Sequence, residues 1–152
     1  MLILGIDPGT ATTGYGLLKT HAKRFEVLEF GLIETEKNSD PGKRLVSIQD
    51  EMFALLRRFS PDVVAIERLF FAANAKTAMA VGEAKGVTIL AAARHNIEVV
   101  EYAPGTIKKV VAGGGKADKK MMQQSLRKIL GAKIRRRVHK KTHFDNDAHA
   151  LA

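Results

Sequence analysis

The run Leu2-Ile3-Leu4-Gly5-Ile6-Asp7-Pro8-Gly9-Thr10 decides how this chain is read. Residues 2–6 are an apolar run of strand length, the pattern of a buried strand. Asp-Pro-Gly-Thr breaks it as a turn. A second run, Val63-Val64-Ala65-Ile66, ends on Glu67. Buried runs usually close on neutral turn residues, yet these two close on carboxylates. In an open α/β sheet, sites form at the carboxyl ends of the strands. If the two strands are neighbours, the carboxylates lie close together, and each raises the other's proton affinity unless a cation sits between them. Mg²⁺ or Mn²⁺ suits an all-oxygen ligand set. One carboxylate at a strand end is ordinarily a cap or turn residue; two at matched positions point to a site.

Outward from these runs, the spacing predicts the other elements. Residues 15–18 and 25–34 read as strands joined by a polar loop over 19–24, so the opening is an antiparallel meander. A loop over 37–43 holds Asn38, Ser39, Asp40, Pro41 and Gly42. Leu45, Ile48, Met52, Leu55, Leu56 and Phe59 then recur at helical spacing, and Ser60-Pro61 ends that helix. Residues 74–94 are Ala-rich and helical; 97–102 form a short strand. A helix over 106–112 is opened by Pro104 and Gly105. Gly113-Gly114-Gly115 is a turn, and 117–130 a basic helix stopped by Gly131. Residues 134–142 read as an irregular basic loop, and 145–152 as the start of a last helix with an acidic first turn. This order gives one α/β domain over 1–152, a mixed five-stranded sheet with helices on both faces.

The chain has 152 residues, 45% of them apolar, enough for a sizeable single core. No apolar run approaches the ~20 residues of a membrane span, and the short apolar N-terminus has no basic leader. Cysteine is absent, which excludes disulfides, zinc thiolates and a cysteine nucleophile and fits a cytoplasmic setting. The net charge of +9 is concentrated: residues 1–115 carry 14 Lys/Arg against 13 Asp/Glu, whereas 116–141 carry 11 against one Asp. Such a block attracts a polyanion and releases its counterions, so nucleic acid is the leading partner over an acidic membrane surface or a merely solvated tail. Backbone charge alone does not separate DNA from RNA.

A third acidic group lies in His143-Phe144-Asp145-Asn146-Asp147-Ala148-His149. A helix N-cap explains one aspartate there; the whole cluster suits a helix whose N-terminus faces a metal centre. Three or four carboxylates around two cations is a usual set for phosphodiester hydrolysis.

These residues carry a family resemblance. Leu4-Gly5-Ile6-Asp7-Pro8-Gly9-Thr10, followed by Thr13-Gly14-Tyr15-Gly16, resembles the opening of the RuvC Holliday-junction resolvases. Ala65-Ile66-Glu67-Arg68-Leu69-Phe70-Phe71, with Asn74 and Ala75, resembles the family's second motif. Gly82-Glu83-Ala84-Lys85-Gly86, Tyr102-Ala103-Pro104, Lys108 and the segment 113–119 follow in the family's order. The resemblance implies an RNase H-like fold, a homodimer, a branch-migration motor as partner, and paired symmetric Mg²⁺-dependent nicks in a four-way DNA junction. It implies metal-ligand roles for Asp7 and Glu67. Phe70 would stack on unpaired bases, the alternative being a core ring, a place that suits Phe71 better. Lys108, Lys116, Lys119 and Lys120 would touch phosphates, the alternative being solvated surface charge. The small residues over 72–93, with Gly82 and Gly86, would serve the dimer, or the chain's own sheet.

The last motif departs from the family's Asp/His-x-x-Asp-Ala-Leu-Ala. Aligning Ala150-Leu151-Ala152 puts Asn146 and His149 at the ligand positions; aligning Asp147-Ala148 puts Phe144 at the earlier one, flanked by His143 and Asp145. Asp147 is the favoured ligand, with Asp145 or His143 replacing the missing group; in the other register His149 is the ligand or proton shuttle. Ala152 falls early in the expected final helix, where the family continues. Rival readings are a non-catalytic junction binder with a degraded site, an RNase H-like nuclease acting on RNA, and an actin-like ATP-binding protein sharing the Gly-Ile-Asp-x-Gly-Thr turn.

Overall fold

The computed structural model describes residues 1–22, 24–36, 38–69 and 75–130. Among these residues nine elements follow one another: β1 (Leu2–Asp7), β2 (Thr12–His21), β3 (Arg24–Glu34), α1 (Pro41–Phe59), β4 (Val63–Glu67), α2 (Ala75–Arg94), β5 (Glu98–Tyr102), α3 (Pro104–Ala112) and α4 (Lys119–Leu130). The strands form one sheet in the order β3-β2-β1-β4-β5. β1, β2 and β3 pair antiparallel, as the close spacing predicts, while β4 and β5 join parallel to β1. The mixed five-stranded sheet is therefore present.

Strand alternation sorts the side chains into two layers. Leu4, Ile6, Leu17, Val64 and Ile66 pack with Ile48, Met52 and Leu56 of α1 and Ala84, Ala91 and Ala92 of α2. The opposite face places Ile3, Ala65 and Val100 against Ile107 of α3 and Ala117 and Met122 at α4. Helices thus cover both faces, and β1 and β4 are apolar up to their terminal carboxylates because both their sides are covered. Leu4, Ile6, Val64 and Ile66 are fully buried. Each such side chain contributes roughly 1.5–3 kcal/mol, so a single Leu4→Ala cavity costs about 2–5 kcal/mol.

Several boundaries differ from the sequence reading for local reasons. The loop expected to run to residue 43 stops at Asp40, whose carboxylate accepts from the Gly42 and Lys43 amides and caps α1, with Pro41 in its first turn. At the other end Ser60 adopts a left-handed φ of 45° and its N–H donates to Leu56 O. The polar stretch 19–21 is not loop: β2 runs on to His21, paired with Arg24, and the hairpin turns at Ala22 with φ 54°. Basic helix α4 starts at Lys119 rather than 117, because Asp118 caps it through the Met121 amide at 2.8 Å. Gly113 ends α3 with φ 76°, a conformation that favours glycine. A 2.6 Å bond from the Leu2 amide to the Asp62 carboxylate, with Asp62 N–H returning to Leu2 O, fixes the entry of β4 beside β1.

Candidate metal and nucleic-acid site

β1 and β4 lie side by side in parallel register, with Gly5 opposite Ala65 and Ile6 opposite Ile66. One step on, each strand ends, at Asp7 and at Glu67. Ile6 and Ile66 point into the α1/α2 core, so alternation turns both carboxylates to the other face, the side covered by α3 and α4. Neighbouring strands are about 4.8 Å apart, which puts the two side chains within reach of one ion. Both residues are half-buried. On the flank away from Glu67, Asp7 is registered with Gly14, which brings no side chain. On the far side of Glu67 stands Tyr102, its partner in β5.

The turn that carries Asp7 is braced from two directions. The buried Thr13 hydroxyl donates to Gly9 O at 2.8 Å and accepts from Gly9 N–H at 3.3 Å. The Thr35 hydroxyl donates to Thr10 O at 2.5 Å and accepts from Arg44 Nε at 2.9 Å. Gly9 is required there: a Cβ would lie 2.5 Å from the Thr12 carbonyl oxygen.

Two carboxylates on one sheet face form an all-oxygen donor set that fits a hard divalent cation and neither a thiolate nor a multi-imidazole metal. Among the described residues no group of three or more acidic, His or Cys side chains gathers to hold a metal. Asp145, Asp147 and His149, expected to complete the set, lie outside the described residues, as do Phe70, Phe71, Asn74 and His143.

The basic candidates sit in the layer that faces the carboxylates. Lys108 is half-buried on α3, Lys116 is exposed in the α3–α4 connection, and Lys119 and Lys120 are exposed in the first turn of α4. Lysines in a first turn oppose the helix dipole. Placed there, with the positive end of the helix, they favour an external anion such as phosphate. Among the described residues Lys108, Lys116 and Lys120 make no ion pair.

α2 divides its small residues between two faces. Ala84, Thr88, Ala91 and Ala92 are buried in the chain's own core, while Met79, Gly86, Leu90 and Ala93 face outward. The sequence reading missed a cluster in which Lys85 and Arg68 both meet Glu101. Period-two alternation places Arg68 and Glu101 on one face, but nothing in the sequence ties α2 to them.

A family model described as crossover junction endodeoxyribonuclease RuvC matches residues 3–152. Proteins of that name are similar to this chain. The one from Alkaliphilus oremlandii is 46% identical over 130 residues, 86% of this chain and 79% of the relative. The one from Moorella thermoacetica is 43% identical over 152 residues, all of this chain and 87% of the relative. Among solved structures, Thermus thermophilus RuvC in complex with a Holliday junction substrate superposes with a TM-score of 0.83 at 30% identity, covering 99% of this chain and 88% of that one.

Proposed function

The chain belongs to the RuvC family of crossover junction endodeoxyribonucleases, and we propose that it resolves four-way DNA junctions by paired, symmetric, metal-dependent nicks. The observation that carries the reading is the register that brings Asp7 and Glu67 to one face at adjacent strand ends. In this reading Asp7 and Glu67 are metal ligands, completed from the last motif by Asp147 with Asp145 or His143, or, in the other register, by His149. Mg²⁺, or Mn²⁺ in its place, fits the donor set, with two ions per site. When bound, such ions stabilise the attacking and leaving oxygens of an in-line displacement. The chain's own part is positional. Thr13 and Thr35 hold the Asp7 turn, and Lys108, Lys116, Lys119 and Lys120 draw the phosphates toward that face. Phe70, close after Glu67 in sequence, supplies an aromatic ring for an unpaired base.

Two cuts related by symmetry call for two sites related by a twofold axis. The outward stripe Met79, Gly86, Leu90 and Ala93 of α2 supports a homodimer through that helix. A Cβ on Gly86 would meet nothing within 4 Å, so a second helix can approach there. A branch-migration motor would deliver the junction. In this reading the chain acts on DNA in the cytoplasm. Separately, no helix among the described residues is long and apolar enough to cross a membrane.

The test is cleavage of a synthetic four-way junction with Mg²⁺ or Mn²⁺, beside linear duplex and an RNA–DNA hybrid. Paired nicks in the junction alone are expected. Tight, salt-sensitive junction binding without nicking would instead select the non-catalytic binder, and cleavage of the hybrid the RNA nuclease.

A further inference from the structure

On the sheet face opposite the two carboxylates lies an ionic cluster with no part in the chemistry above. Glu101, next to last in β5, pairs with Lys85 of α2 at 2.8 Å and with Arg68 at 3.7 Å, both through Oε2. The Lys85 side chain is only 12% exposed; that of Arg68 is 60% exposed. Arg68 directly follows Glu67, and its N–H donates to Tyr102 O at 2.7 Å, carrying the β4–β5 ladder one step past the end of β4. The strand-end residues on the site face, Glu67 and Tyr102, are therefore each bonded to a neighbour that belongs to this cluster.

We propose that Lys85 and Glu101 are positioning residues for Glu67, acting through the Arg68 backbone and the end of β5. The inference rests on the reading of Asp7 and Glu67 as metal ligands. Stability alone is a poor reason for the cluster. Lys85 is mostly buried while the Glu101 side chain is 32% exposed, so desolvation of the ammonium and solvent screening of the carboxylate both cut into the attraction, and an apolar residue at position 85 would bury as well. The exposed Arg68 contact adds little. Geometry is the better reason. The chain leaves Glu67, enters α2, and returns through Lys85 to the strand beside Glu67, so the cluster closes a loop around the ligand. An apolar replacement would fill the volume without fixing how far α2 sits along the strand ends. Glu67 needs that fixing because it ends its strand: among the described residues no ladder bond to β5 follows that of Arg68.

The test uses the full chain, a synthetic four-way junction and Mg²⁺ titrations, with Lys85→Met, Lys85→Arg, Glu101→Gln and Asp7→Asn. Lys85→Met and Glu101→Gln are expected to lower turnover about 10- to 100-fold, the loss that follows from displacing a reacting group by up to an ångström. They should raise the Mg²⁺ half-saturation severalfold and leave junction affinity without divalent metal unchanged. Lys85→Arg should restore most of both. A role confined to stability would lower the melting temperature and leave turnover per folded protein and Mg²⁺ half-saturation where they were; that result overturns the proposal. If Lys85→Met does not fold, the isosteric Glu101→Gln decides alone, and its own failure to fold would make the cluster structural and overturn the proposal too. Asp7→Asn separates the two levels. Cleavage surviving in it removes the metal-ligand reading itself, whereas its loss beside unaffected Lys85 and Glu101 variants removes only the positioning role.

Discussion

Asp7 and Glu67 end adjacent parallel strands one step beyond the Ile6–Ile66 pair, and both turn away from the core that those isoleucines enter. Antiparallel pairing would have placed one of them at the far edge of the sheet. Parallel pairing puts both at the carboxyl edge, and the β1–β4 crossover needed for it is supplied by β2, β3 and α1. Neutralising either should remove the centre. Asp7→Asn and Glu67→Gln are expected to slow single-turnover nicking by at least about 1,000-fold, several kcal/mol of transition-state stabilisation. Junction binding should persist, because the lysines that draw phosphate are untouched. Full activity in either variant rejects the site.

Gly9 is where the Asp7 turn has least room. Adding a methyl there drives Cβ against the Thr12 carbonyl oxygen, a backbone atom that cannot swing aside. Gly9→Ala should cost about 1–3 kcal/mol in urea unfolding. It should also cut nicking more than junction binding, because the displaced turn carries Asp7. Equal stability of variant and wild type would show that the turn yields at no cost.

The two buried runs were legible because both faces of β1 and β4 are covered, which writes an unbroken apolar signature. The end of β2 was not: Lys19, Thr20 and His21 are polar, and only pairing with β3 makes them strand. Asp40 was read as loop although its value lies in capping. For the site, the two carboxylates could be found, but their adjacency is a long-range pairing that no local pattern encodes. The Lys85–Glu101–Arg68 cluster was hidden for the same reason, since each member alone looks like ordinary surface charge.

The α3–α4 lysines carry a salt-dependence prediction. If Lys108, Lys116 and Lys120 each neutralise one phosphate, changing any of them to Gln lowers the slope of log affinity against log salt by about 0.9. Affinity should fall for junctions of any sequence alike, since phosphate contacts carry no base information. Binding titrations from low to moderate salt check this. An unchanged slope in all three variants would make them solvated surface charges.

The last acidic motif can be settled by function. Asp147→Asn should abolish nicking if Asp147 is a ligand, with Asp145→Asn reducing it less. If the register is shifted, His149→Ala is the damaging change and Asp147→Asn is tolerated. Comparing Mg²⁺ half-saturation in the three variants distinguishes lost metal affinity from lost proton transfer.

Tyr15 gives a prediction independent of DNA. It lies on the α1-facing side of β2, and its hydroxyl donates to Glu29 Oε1 at 3.2 Å. Glu29 in turn pairs with Arg58 at 3.0 Å. Burial first, then the Glu29 charge and hydrogen bond, push the Tyr15 pKa from 10.0 up to about 12. The unfolded phenol gives up its proton near 10, while the folded one keeps it to about 12. Within that window the native state binds more protons than the unfolded state, so stability falls as pH rises. The contribution is whole below 10 and gone above about 12. Tyr15→Phe lacks the titrating group, so its urea midpoint should fall less steeply than the wild type's across the window. The chain has two tyrosines and no tryptophan, so in Tyr102→Phe the tyrosinate absorbance reports Tyr15 alone. A midpoint near 10 there, or parallel stability curves for Tyr15→Phe and wild type, would mean that Glu29 and burial do not hold the proton in place.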